Sequence, residues 1–269
     1  MKLRLSMAFF FLLAFAAAAP VKYPPAKFPI DTRVPGPTSR YTPAILALIR
    51  GWHLRPAQKP SEDGNPVQMK CVETAGNERF VGVEQSVLIA APVARVAAVL
   101  DDFDHYKDLS PGFKDIHVVA RDGNMTQTFW EKSIPFFFMP NMKYAMTYLS
   151  DRSAPARVMY RYQLKESEQL RSADGLIVAE NGGGRMANAV TQFTRFDYID
   201  PSLGIFASAP VGTVWQNSLE DIYLSSAGIK LKAEHASWSY EKIVEQAKSW
   251  LEEYPVAAVR ARCAAHGTL

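Results

Sequence analysis

The feature that most constrains the fold is a run of six segments with two-residue periodicity between residues 114 and 198. Within each segment apolar and polar side chains alternate, as they do along a β-strand with one buried face. Turn-forming residues such as Asp122-Gly123-Asn124 separate the segments, and no helical pattern intervenes. We therefore expect the segments to pair in order as an antiparallel meander. The predicted strands cover residues 114–121, 124–133, 141–150, 155–164, 169–180 and 187–198.

Helical patterns flank this sheet on both sides. A strand is predicted over residues 80–89, and a helix follows from Pro92, whose missing N–H is no loss in a first helical turn. After the sheet, one helix is predicted over Trp215–Leu224 and a longer one over Tyr240–Tyr254, with a continuous apolar stripe. The predicted fold class is α+β, a curved antiparallel sheet wrapped around a long C-terminal helix. A gap between sheet and helix is expected, and such gaps make apolar ligand sites.

The segment VLIAAPVARVAAVLDDFDHYKDLSP, residues 87–111, resembles the opening of the START-like superfamily, also called SRPBCC or helix-grip proteins. The matching features are a strand that ends in Ala-Pro, a helix that reads Val-x-x-Val-Leu-x-Asp, and the Tyr after it. Leu109-Ser110-Pro111 replaces the usual Trp-x-Pro. The order of elements agrees over residues 79–255, the predicted START-like domain. The superfamily includes lipid-transfer domains, polyketide cyclases and coenzyme-Q-binding proteins, so the resemblance implies a cavity for one lipid, sterol, quinone or polyketide.

Alternation along the strands predicts which side chains face that cavity. Methionines and tyrosines share one face of the strand at 141–150, and apolar or aromatic residues from Val158 to Leu164 share one face of the next. Phe196 and Tyr198 extend the pattern less cleanly on the last strand. An ordinary filled core is the alternative for each of these positions. The predicted ligand-binding residues are Trp130, Phe136, Phe138, Met142, Tyr144, Met146, Tyr148, Tyr160, Tyr162, Phe196 and Tyr198.

Four charged residues lie on the predicted strands: Glu131, Arg161, Arg195 and Asp197. A solvated outer face is expected for all four, since charged residues are rarely buried. The resemblance implies an alternative, because lipid-binding START domains often hold an internal Arg–carboxylate pair that meets a ligand hydroxyl. Alternation places Arg161 outward, which argues against assigning that role to it.

The segment Ile134–Pro140, with the sequence IPFFFMP, lies between two predicted strands where a polar tip is usual. Three consecutive phenylalanines cannot all point into one core. An exposed apolar tip would suit transient membrane contact during lipid exchange. Burial under a short helix predicted over Pro43–Trp52 is the alternative.

The N-terminus predicts a cleavable secretory signal over residues 1–18. Two basic residues precede an uncharged apolar run, Leu5–Ala16, and small residues follow at the cleavage positions. Cleavage is expected after Ala18, because a cut one residue later would leave Pro20 beside it. The run is shorter than the ~20 residues that a spanning helix needs, which argues against an uncleaved anchor. The mature protein is expected to be periplasmic or secreted, with a Pro-rich arm and short helix over residues 19–78.

The chain has two cysteines, Cys71 and Cys263. In an exported protein they are expected to form a disulfide between the region before the first long strand and the C-terminal tail, residues 256–269. Such a bridge would contribute about 2–5 kcal/mol. Two separate buried thiols are the alternative.

Other functions lack their sequence signatures. The net charge is only +3 and the basic residues are scattered, so nucleic-acid binding is not implied. The five histidines have no metal-ligand spacing, and no nucleophile elbow or phosphate loop is present, so no metal, cofactor or catalytic residue is predicted. The leading hypothesis is a monomer that binds or transports a hydrophobic small molecule or lipid outside the cytoplasm. A cyclase or aromatase of the same superfamily and an envelope protein-interaction module are the alternatives.

Overall fold

A computed structural model of the chain describes residues 66–71, 81–134, 140–154, 156–182, 189–200 and 211–253. These residues form one eight-stranded sheet and several helices. The strands are β1 Val67–Cys71, β2 Val81–Ile89, β3 Phe113–Asp122, β4 Met125–Lys132, β5 Met142–Asp151, β6 Arg157–Ser167, β7 Ser172–Asn181 and β8 Thr191–Asp200. The α-helices are α1 Val93–Asp101, α2 Tyr106–Leu109, α3 Val211–Glu234 and α4 Tyr240–Glu253.

The sheet has the strand order β1-β2-β8-β7-β6-β5-β4-β3, and every neighbouring pair is antiparallel. The meander predicted from two-residue periodicity is therefore confirmed as β3–β8. Strand β2 pairs with β8, and β1 lies at the edge beyond it. At the β3–β4 turn Gly123 has φ of 56°, the left-handed conformation that this tight hairpin requires.

The predicted fold class is confirmed, but the helix that the sheet surrounds is α3 rather than the later helix with the apolar stripe. Helix α3 has 24 residues and extends the predicted helix Trp215–Leu224 in both directions. It packs on β1, β2 and α1, while α4 packs on α3 and α2. Because α3 is enclosed by the sheet and by other helices, its apolar residues occupy most of its circumference. The apolar residues of α3 are therefore less confined to one side of the helix than those of α4.

The hydrophobic core lies between the concave face of the sheet and the helices. Helix α1 starts after Pro92 as predicted, and it buries Val93, Val96, Ala97 and Leu100 against this core. Within the described ranges, none of the helices combines the length and the apolar character needed to cross a membrane.

Candidate functional site

A cavity lies between α3 and the concave face of the sheet. Its volume is about 970 Å³ when the space that opens to solvent is counted. Helix α3 lines it with Ser218, Asp221, Ile222, Ser225 and Ile229, and the α1–β3 connection contributes Tyr106, Ser110 and Phe113. The strands contribute Trp130, Lys132, Met142, Tyr144, Met146, Tyr148, Tyr162, Ala173, Ile177, Arg195, Asp197 and Ile199.

Aromatic rings form one wall of the cavity. Trp130 on β4 is nearly parallel to two rings of β5, with ring centroids 6.0 Å from Tyr144 and 6.5 Å from Tyr148. Tyr162 on β6 continues the row, 5.4 Å from Tyr148. The register causes this arrangement, because Trp130 pairs with Tyr144, and Tyr148 pairs with Tyr162. The row offers a flat apolar surface edged with hydroxyl groups.

An ion pair on β8 lies in the same cavity. The Arg195 guanidinium donates to Asp197 Oδ1 from Nη2 at 2.7 Å and from Nε at 3.0 Å, and Nη1 donates to Ser225 Oγ at 2.9 Å. The Tyr162 hydroxyl donates to the same carboxylate oxygen at 2.5 Å. Asp197 is 2% exposed, and its other oxygen, Oδ2, has no hydrogen-bond partner among the described residues. The cavity wall therefore holds a buried carboxylate oxygen that these residues leave unpaired.

Burial opposes the charge on Arg195, but the adjacent Asp197 carboxylate outweighs it, so the pKa of Arg195 is raised. Burial also raises the pKa of Tyr144, Tyr148 and Tyr162 above the ordinary value of 10.0. The three phenols are consequently neutral hydroxyls at physiological pH. The hydroxyls of Tyr144 and Tyr148 can donate hydrogen bonds to a ligand, whereas that of Tyr162 already donates to Asp197. All three phenols are poor acids and bases.

A second ion pair joins β4 to α3. Lys132 Nζ bonds the carboxylate of Asp221, and 16% and 19% of the two side chains are exposed. Gly112 leaves room for this carboxylate, because a Cβ there would lie 2.7 Å from Asp221 Oδ1. Ser110, nearby in the wall, is 3% exposed, and no described residue forms a hydrogen bond with its hydroxyl. This region is a second polar part of the cavity wall, in addition to the Arg195–Asp197 pair.

Six of the predicted ligand-binding residues line the cavity: Trp130, Met142, Tyr144, Met146, Tyr148 and Tyr162. Tyr160 is buried but does not line it. Its hydroxyl donates to Asp101 Oδ1 at 2.7 Å and accepts from Arg152 Nη2 at 2.7 Å, which ties β6 to α1.

Other predicted residues lie outside the described residues. These are Phe136, Phe138, Cys263 and the side chains of Tyr198 and Cys71. The disulfide therefore stays a prediction, as do the contacts of the 134–140 segment.

The prediction for β8 is wrong. Phe196, assigned to the cavity, points to the opposite face, where it is fully buried, and Arg195 and Asp197 point inward. Alternation failed here because both faces of β8 are buried, so the apolar side chain does not mark the inner face. Glu131 and Arg161 do lie on the face away from the cavity, as expected. A signal for the inward pair was present in β7, where Gly175 pairs with Asp197 and leaves space for the Tyr162 ring.

The comparison with known proteins agrees with this fold. The family model described as polyketide cyclase / dehydrase and lipid transport matches residues 81–223, more than half of the chain. The chain therefore belongs to this family. A comparison with curated proteins finds none that matches the sequence.

Solved structures that are similar to this chain come from several organisms. A STAR-related lipid transfer protein fragment from Xanthomonas axonopodis is 13% identical, with a TM-score of 0.52 over 65% of this chain and 96% of that one. The lipid transfer and protein localization domain of human StarD13 is 11% identical, with a TM-score of 0.49 over 70% of this chain and 96% of that one. The Zhui aromatase/cyclase from Streptomyces sp. R1128 is 15% identical, with a TM-score of 0.44 over 63% of this chain and 94% of that one.

Proposed function

We propose that this protein binds an apolar ligand with one hydrogen-bond donor in the cavity, and that it carries this ligand unchanged. The observation behind the proposal is Asp197 Oδ2, a buried acceptor in an aromatic cavity that has no partner in the part of the chain the structure describes. Leaving such a group unpaired costs about 1–3 kcal/mol, which a ligand hydroxyl or amine would recover. The apolar body of the ligand would lie along Trp130, Tyr144 and Tyr148.

Transport rather than reaction is favoured by the state of the polar groups. The cavity tyrosines stay protonated, and the carboxylates of Asp197 and Asp221 are each bonded to a cation. Groups held in this way orient a ligand more readily than they exchange protons with it.

The proposal places the protein outside the cytoplasm, on the strength of the N-terminal signal. A greasy ligand that crosses an aqueous compartment needs a closed carrier. Fractionation of the host and N-terminal sequencing of the mature protein test this point. A mature chain that begins at Ala19 supports it, whereas an intact N-terminus in the cytoplasm contradicts it.

Membrane contact through residues 134–140 is part of the proposal. The segment connects the end of β4 to the start of β5, and Lys132 and Met142 at these two ends both line the cavity. Substitution of Phe137 by Asp is expected to slow ligand uptake from vesicles and to leave uptake from detergent micelles unchanged. Equal loss from both donors would contradict a role in membrane contact.

Uptake of a ligand panel tests the binding proposal. The purified protein is incubated with a sterol, a quinone or a phospholipid, and bound ligand is counted by native mass spectrometry. Ala173→Phe adds a ring to the cavity wall and should abolish uptake. Ala98→Phe makes the same change at an exposed position of α1 and should not. Uptake that survives Ala173→Phe would place the ligand elsewhere.

A cyclase-like activity is the second candidate, favoured by two carboxylates and several hydroxyls in one cavity. It predicts that a linear polyketone is cyclised faster with this protein than with its Asp197→Asn and Asp221→Asn variants. The carrier proposal predicts that every ligand is recovered unchanged.

A further inference from the structure

The convex face of the sheet, opposite the cavity, is buried at its β2–β8–β7 end. Leu176, Val178 and Phe196 expose 3%, 2% and 0% of their surface, and they lie apart from the core on the concave side. These three residues are the convex patch. Glu84 and Thr194 on the same face are buried as well. A sheet whose second face meets water keeps polar, exposed residues there, so this burial requires a second layer.

The described helices do not supply that layer, because those that pack on the sheet lie on its concave side. Helix α1 meets β6 and β7, where Tyr160 of the concave face bonds Asp101. Helix α3 meets β1 and β2, where Ser226 donates to the concave Gln85. The cover must therefore come from another part of the chain.

The position of β1 favours the segment that precedes it. Residues 20–65 lead into Val67, in the edge strand next to β2, so this segment reaches the sheet two strands from the convex patch on β8. The strands from β1 to β7 span only ~14 Å at their usual spacing, which a few extended residues cross. The C-terminal residues, by contrast, follow α4, which packs on α3 and α2.

The chemistry of the segment matches the surface. Residues 45–49, Ile-Leu-Ala-Leu-Ile, are apolar like the convex patch. The segment 20–65 carries seven basic and three acidic residues, a net charge of +4. Buried carboxylates at Glu84 and Asp174 lie beside the convex patch, so a basic cover is favoured over an acidic one. We propose that residues 20–65 cover the convex patch and form a second layer on the sheet.

Thiol labelling of adjacent positions on β7 tests this proposal. Val178→Cys faces the convex side and Ala179→Cys faces the core, and the native residues are 2% and 0% exposed. Each is made in the full mature chain with Cys71→Ser and Cys263→Ser. Both thiols should be protected from a water-soluble disulfide reagent. Adding Ile45→Asp with Ile49→Asp should speed labelling at position 178 by at least about tenfold and leave position 179 protected.

The control is Val256→Asp with Val259→Asp in the C-terminal tail, which should change neither thiol. The proposal is overturned if the thiol at position 178 is reactive in the unperturbed chain, or if it stays protected after the Ile45 and Ile49 substitutions. Equal gains at both thiols would mean general loosening of the domain and also count against a docked layer. A response to the tail substitutions alone would assign the cover to the C-terminus. Protection that falls on dilution would assign it to a second copy.

Discussion

Strands β6 and β8 both line the cavity, but they differ in which side chains they present to it. Strand β6 turns Tyr162 inward, and its outward residues from Arg157 to Lys165 are partly exposed. Strand β8 turns Arg195 and Asp197 inward and buries Phe196 on the other side. The difference shows that alternation identifies the inner face only where the outer face meets water.

Removing the Arg195 guanidinium from β8 should have the largest effect on stability. Arg195→Met leaves Asp197 buried without a cation, and we expect a loss of about 3–5 kcal/mol in the free energy of unfolding. Arg161→Met, the matched change on the outer face of β6, should cost less than about 0.5 kcal/mol. Urea denaturation measures both values. Equal losses from the Arg195 and Arg161 variants would contradict the inward placement of the pair.

Gly175 lies on β7, between β6 and β8. Its substitution should have the next largest effect on stability. A Cβ at Gly175 would lie 2.1 Å from the Phe196 carbonyl and 2.2 Å from the Tyr162 hydroxyl. Gly175→Ala should therefore cost about 1–3 kcal/mol by overpacking. It should also weaken ligand uptake, because the Tyr162 hydroxyl would leave Asp197.

Gly182→Ala is the control for this change, since its Cβ would lie 3.1 Å from a Val190 methyl group. It should leave uptake unchanged. Normal uptake by Gly175→Ala would show that Tyr162 does not position the carboxylate.

The sequence predicted the meander, its strand order from β3 to β8, and the inward faces of β5 and β6. These followed from local properties, namely turn residues and side-chain alternation. The full length of α3, its place against the sheet and the inward pair on β8 were missed, because α3 and β8 are each buried on more than one side. For such elements the burial pattern depends on partners that are distant in sequence. The glycine at position 175 was the one local sequence feature that indicated the inward carboxylate of Asp197.

Substitutions of two tyrosines on β6 should separate effects on stability from effects on ligand binding. Tyr160 and Tyr162 each bond a carboxylate, of Asp101 and Asp197 respectively, so either Tyr→Phe change should cost about 1–2 kcal/mol. Only Tyr162→Phe should alter ligand selectivity, because Tyr160 does not line the cavity. Thermal unfolding and the ligand panel measure the two effects. A change of ligand selectivity in Tyr160→Phe would contradict this assignment, because it would mean that Tyr160 lines the cavity.

The smallest effect on stability is expected from a substitution of His105, which lies outside β6 and β8. A hydrogen bond to Asp102 raises the pKa of this imidazole above 6.5, and the ring stacks on Tyr240 of α4. Its contribution to stability is present below about pH 6.5 and is lost as the pH rises through the raised folded-state value. His105→Gln should lower Tm slightly at pH 5.5 and leave it unchanged at pH 8.5. The reverse pattern would contradict the assigned pairing.

The central claim is that the cavity between the sheet and α3 holds an apolar ligand in the cell. Native mass spectrometry of the protein, extracted mildly from its own host, tests it most directly. We predict one co-purifying apolar molecule per chain in the wild-type protein and in Ala98→Phe, and none in Ala173→Phe. Repeated absence of any bound molecule from the wild-type protein, or equal retention by Ala173→Phe, would contradict the claim.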